Sequence, residues 1–78
     1  MAELRLFAAA REAAGTATTT IDAPTVGAAL TEARARFGEH FAAVLETSRV
    51  WLNGEPTTDD AVIGERDTVA VLPPVSGG

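Results

Sequence analysis

One segment of this sequence has enough helical periodicity for a full-length helix, and its pattern dictates what must surround it. Thr25 is placed to cap an N-terminus and Gly38 to end the helix. Between them Val26, Ala29, Leu30, Ala33 and Phe37 recur on one face, while Glu32, Arg34 and Arg36 fall mostly off it. A helix with a single apolar stripe has to bury that stripe. The other segments are mostly short and strand-like, so the partner is a sheet.

The strands follow from alternation and turn chemistry. Glu3 to Phe7 alternates, with Leu4 and Leu6 turned inward and Arg5 and Phe7 outward. Ala8 to Ala14 predicts a short helical turn closed by Gly15. Thr16 to Asp22, rich in threonine, predicts an antiparallel edge strand. Glu39 to Glu46 contains Phe41, Val44 and Leu45 and predicts a further helical turn or a packed loop. Arg49 to Leu52 is a third strand closed by Asn53-Gly54, with Val50 and Leu52 on one face and Trp51 on the other. Asp59-Asp60 marks a turn, Ala61-Val62-Ile63 an apolar anchor, and Gly64 to Asp67 another turn. Thr68 to Leu72 is the last strand, Val69 and Val71 inward and Leu72 outward. The expected fold is α+β: a mixed sheet with one main helix packed on one face and the first and last strands adjacent in its middle, a β-grasp arrangement.

Size and charge restrict what such a domain does. The 78 residues make one domain, with residues 1–72 as its globular part and 73–78 as an extended tail. There is no cysteine, so disulfides, thiolate-bound zinc and iron–sulfur clusters are excluded. The net charge of −5 argues against a nucleic-acid partner. No apolar run is long enough for a membrane span, and the opening Met-Ala-Glu-Leu-Arg lacks a signal-peptide layout, so a cytoplasmic location is expected. Side-chain catalysis is not expected. The single histidine, His40, has no cysteine or serine constellation around it and is read as a surface residue. Asp59-Asp60 and Glu65…Asp67 are read as solvated turn acids, not as a metal site.

The chemistry lies in the last six residues, Pro73, Pro74, Val75, Ser76, Gly77 and Gly78. Two prolines cannot extend a sheet ladder, so the strand ends and an extended tail of roughly 20 Å follows. Two glycines pass where no other residue fits. The group at the tip is a carboxylate on Gly78, which becomes an electrophile only when another protein activates it. Attack on the α-phosphate of ATP gives an acyl-adenylate, and a sulfur nucleophile then displaces AMP to leave a thiocarboxylate. Strand parity turns Phe7, Trp51 and Leu72 to the face away from the helix, an apolar patch suited to docking. The acidic balance of the chain predicts a partner presenting arginines and lysines around that patch.

Phe7-Ala8-Ala9-Ala10-Arg11-Glu12-Ala13-Ala14-Gly15, Pro24-Thr25-Val26, Leu52-Asn53-Gly54, Gly64-Glu65-Arg66-Asp67-Thr68-Val69 and Leu72-Pro73-Pro74-Val75-Ser76-Gly77-Gly78 together resemble the small subunits of molybdopterin synthase. The Gly-Gly end and the turn before the last strand are shared with thiamine-pathway sulfur carriers and other ubiquitin-like proteins. The resemblance implies a ubiquitin-like β-grasp fold and a thiocarboxylate on Gly78. It implies activation by an E1-like adenylating enzyme using ATP and magnesium, and a sulfur-donor protein. Insertion of the tail into a large catalytic subunit, in a heterotetramer, would then deliver sulfur to cyclic pyranopterin monophosphate. Its apolar contacts fall on Phe7 and Leu72, with Pro56 near the contact surface, while Trp51 has no counterpart in the family pattern. Arg5 departs from the apolar residue often found there. By this reading the chain binds no cofactor and is the non-catalytic, sulfur-donating subunit of the complex. Sulfur carriage for thiamine thiazole or cysteine, or use as a ubiquitin-like modifier or interaction module, are the alternatives.

Overall fold

The computed structural model describes residues 1–74. The chain runs β1 (Ala2–Leu6), α1 (Ala8–Ala14), β2 (Thr18–Ile21), α2 (Val26–Phe37), α3 (Glu39–Glu46), β3 (Arg49–Leu52), β4 (Glu55–Pro56) and β5 (Thr68–Leu72). The five strands form one sheet in the order β2-β1-β5-β3-β4. β1 and β5 lie side by side and parallel at its centre, and the other neighbours are antiparallel. This is the expected β-grasp arrangement.

Alternation along the strands produces the two faces. Leu4, Leu6, Ile21, Val69 and Val71 are buried beneath the helices. The α2 stripe meets them, with Val26, Ala29, Leu30 and Ala33 buried as the helical spacing predicts. The helix begins as its sequence dictates: Thr25 Oγ1 accepts the Ala28 N–H at 3.2 Å. Its next free donors are taken by the 57–63 loop, Val26 N–H to the Ala61 carbonyl at 2.9 Å and Gly27 N–H to the Asp59 carbonyl at 2.8 Å. At Gly27 an added Cβ would lie 3.1 Å from both the Cβ and the carbonyl oxygen of Asp59, so the absent side chain is what lets the loop close on the helix.

The main helix is α2, as expected, joined by the shorter α1 and α3. Three other expectations need correction. Glu39–Glu46 is the complete helix α3, which inserts the fully buried Phe41, its ring centroid 5.1 Å from that of Phe37. Eight residues are too few to hold a helix in isolation, so α3 owes its stability to this packing. The first strand runs one residue earlier than expected, and Phe7 is the extended N-cap of α1. Ala8, at φ +49°, then turns the chain out of the sheet. In the 57–63 loop the anchor is Ile63, buried, while Val62 is 78% exposed because it forms an isolated bridge to Thr25 at the surface.

The sheet margins are closed differently. At the β2 edge Arg36 donates to the Thr20 carbonyl at 3.0 Å and to Thr19 Oγ1 at 3.1 Å, and it is ion-paired to Glu32. At the other edge β4 consists of Glu55 and Pro56, and proline offers no N–H. No helix among the described residues is long and apolar enough to cross a membrane.

Candidate functional site

The face of the sheet away from the helices is open. Register sets Thr18, Arg5, Ala70, Trp51 and Pro56 in one row across all five strands. The next row, towards the end of β5, pairs Leu72 with Arg49. Phe7 stands one step beyond the Leu6↔Val71 pair, beside Leu72, and its N–H donates to the Val71 carbonyl at 3.3 Å. Every residue of this face is exposed or half-buried, and Phe7 is 43% exposed, an unusual state for a phenylalanine.

Two grooves mark this face. One of about 290 Å³ is lined by Thr47, Arg49, Trp51, Leu72, Pro73 and Pro74. The other, about 260 Å³, is lined by Arg49, Val50, Trp51, Pro56 and Thr57. Trp51 and Arg49 contribute to both. The structure thus gathers four of the sequence-derived site residues, Trp51, Leu72, Pro73 and Pro74, into one concavity at the root of the tail. Pro56 joins through Trp51. Phe7 lines neither groove and extends the apolar surface on the β1 side. Val75, Ser76, Gly77 and Gly78 lie outside the described residues. A larger concavity, about 420 Å³, lies at the opposite end of the sheet among Met1, Asp22, Pro24 and Glu65, remote from Pro73 and Pro74.

The charge on the open face is the reverse of that anticipated from the whole chain. Among the described residues three ionisable side chains stand on it, Glu3, Arg5 and Arg49. Arg5 Nε pairs with Glu3 Oε1 at 2.9 Å, an exposed contact. Arg49 has no carboxylate partner among the described residues. The remaining acids of the chain are distributed over the helices, turns and sheet margin, so net charge was a poor guide to this face. Arg49 shares the parity of Trp51 in the sequence, and that was the signal by which it was discoverable.

A family model, the ThiS family, matches residues 4–78. The molybdopterin synthase sulfur carrier subunit of Arabidopsis thaliana is 56% identical over 27 residues, which are 35% of this chain and 28% of the relative's length. The crystal structure of SAMP1 from Haloferax volcanii superposes with a TM-score of 0.88 at 31% identity, covering 99% of this chain and 98% of that one. A putative molybdopterin converting factor, subunit 1, from Pyrococcus furiosus gives a TM-score of 0.83 at 25% identity, covering 95% of this chain and 97% of that one.

Proposed function

Because the chain belongs to the ThiS family, whose members include sulfur carriers, we propose that it is the sulfur-carrier subunit of molybdopterin synthase. The observation that carries this reading is the exit of the chain from the central strand β5. Leu72, Pro73 and Pro74 lead from an exposed apolar face directly into Val75-Ser76-Gly77-Gly78. The short match to the Arabidopsis thaliana carrier supports the molybdopterin branch.

The chemistry takes place on Gly78, within partner active sites. In an E1-like adenylating enzyme with ATP and magnesium, a Gly78 oxygen bonds to the α-phosphorus and pyrophosphate departs. Hydrosulfide, or its equivalent delivered by a sulfur-donor protein, attacks the acyl carbon and AMP leaves with the electron pair of the broken C–O bond. The tail then enters the large catalytic subunit. There the sulfur bonds to a carbon of cyclic pyranopterin monophosphate as a C–O bond of that precursor breaks, its oxygen leaving with the electron pair. Water then cleaves the acyl C–S bond, restoring the carboxylate and leaving the sulfur on the product. This chain contributes docking through Phe7, Trp51, Pro56 and Leu72, and reach through the tail. All six of its basic side chains are arginine, and it has no cysteine, so no lysine or thiol of a neighbouring copy intercepts the activated acyl group.

The likeness to SAMP1 favours a second reading, a protein modifier whose Gly78 forms an amide with a lysine of another protein. Intact mass of the chain isolated from its own source separates the two. Replacement of one oxygen by sulfur at Gly78 is the expected result. Gly78 found instead in amide linkage to foreign lysines would displace the carrier reading.

A further inference from the structure

We infer that the groove at the tail root is a recognition site for one apolar side chain and one carboxylate of the large catalytic subunit that receives the tail. The inference rests on the proposed carrier function and assigns the contact chemistry of its partner. Pro73 and Pro74 form one wall of this groove, so whatever fills it lies against the point where the chain departs for Gly78. The occupant is therefore a protein into which the tail is threaded, and the large catalytic subunit is the one that the proposed function docks on Trp51 and Leu72. The groove's aromatic and aliphatic lining, Trp51, Leu72 and the two prolines, takes an apolar side chain.

Arg49 specifies the rest. It is exposed, it borders both grooves, and it lacks a carboxylate partner among the described residues. Arg5, on the same face, is already paired with Glu3. An aspartate or glutamate of the partner, set beside its apolar side chain, completes Arg49 with a charge-assisted hydrogen bond. A lysine or arginine there would be repelled, so the contact also selects the partner.

The test is a titration of the large catalytic subunit of molybdopterin synthase with the full chain and its Arg49→Gln, Arg49→Glu and Phe7→Ala variants at low and high salt. Arg49→Glu is expected to weaken binding tenfold or more, and Arg49→Gln less. Added salt should weaken the unmodified chain more than Arg49→Gln, since the screened pair is gone from the variant. Affinity unchanged in Arg49→Glu, with Phe7→Ala weakened, would overturn this inference and leave the carrier reading standing. No binding by the unmodified chain would overturn both. Dimerisation of the isolated chain through this face, abolished by Arg49→Glu, would overturn the assignment to a partner.

Discussion

The Asn53 amide and the Asp67 carboxylate join two turns that are far apart in sequence. Asn53 Nδ2 donates to Asp67 Oδ1 at 3.0 Å, while Asn53 Oδ1 accepts the Thr68 N–H at 2.9 Å. Asp67 Oδ2 in turn accepts the Gly64 N–H at 2.8 Å. The β3–β4 hairpin is thereby tied to the turn that launches β5. Asn53 and Gly54 both have positive φ, +50° and +84°, as a two-residue hairpin of this hand requires.

Asn53→Ala should therefore destabilise the fold by about 2 kcal/mol, from the lost hydrogen bonds and a left-handed backbone without amide support. Asn53→Gly keeps the backbone geometry and should recover part of the loss. Denaturant midpoints for the pair check this. Equal midpoints for Asn53→Ala and the unmodified chain would remove the clamp from the account.

Acidification should weaken the same clamp. The Gly64 N–H, followed by the Asn53 amide, holds the Asp67 carboxyl below its ordinary value of 3.8, with desolvation opposing them. A depressed folded-state value favours the native state above the unfolded-state value, and that advantage disappears as pH falls through the folded value. Asp67→Asn should thus be less stable than the unmodified chain at neutral pH, and the gap should narrow below about pH 4. Urea midpoints at both pH values measure it; a gap independent of pH would refute the linkage.

Gly27→Ala should cost about 1–3 kcal/mol, because a Cβ lying 3.1 Å from the Asp59 backbone oxygen must displace the 57–63 loop. For a domain of this size each kcal/mol lowers Tm by about 4–8 °C. An unchanged Tm would show that the loop yields freely.

Ala8→Gly should act in the opposite direction. Ala8 holds φ +49°, a left-handed conformation costing roughly 1–2 kcal/mol for an alanine. Glycine removes that penalty but makes the unfolded chain more flexible, so a small rise in Tm, or none, is expected. A clear fall would mean that the alanine methyl contributes contacts outweighing the strain.

Phe7→Ala should leave Tm nearly unchanged, since the ring is 43% exposed, yet weaken large-subunit binding by ten- to a hundredfold, about 1.4–2.7 kcal/mol. Trp51, the only tryptophan and half-buried on the same face, reports the titration by its fluorescence.

What the sequence disclosed and what it withheld divide along the range of the interactions. Period-two alternation placed Leu4, Leu6, Val69 and Val71 inward, and the apolar stripe of α2 was legible from its spacing, because both signals are local. Phe7 was turned to the correct face by parity even though the strand ends one residue before it. α3 was ambiguous because its helicity depends on Phe41 meeting Phe37 and joining the buried core cluster, a tertiary fact. The Asn53–Asp67 bond was invisible for the same reason, although both turns were marked. At the site, net charge misdirected the reading of the docking face, since it sums over surfaces that Arg49 does not share.

The central position of β5 has a mechanical consequence. Its register joins Glu3 to Leu6 of β1 on one side and Arg49 to Leu52 of β3 on the other, so both ladders flank the strand from which the tail emerges. Tension applied to Pro73 and Pro74 along the strand axis is shared by the two ladders at once, in shear, instead of opening them one bond at a time. Under the proposed function, a partner that pulled on Pro73 and Pro74 would load both ladders without peeling the strand that anchors them.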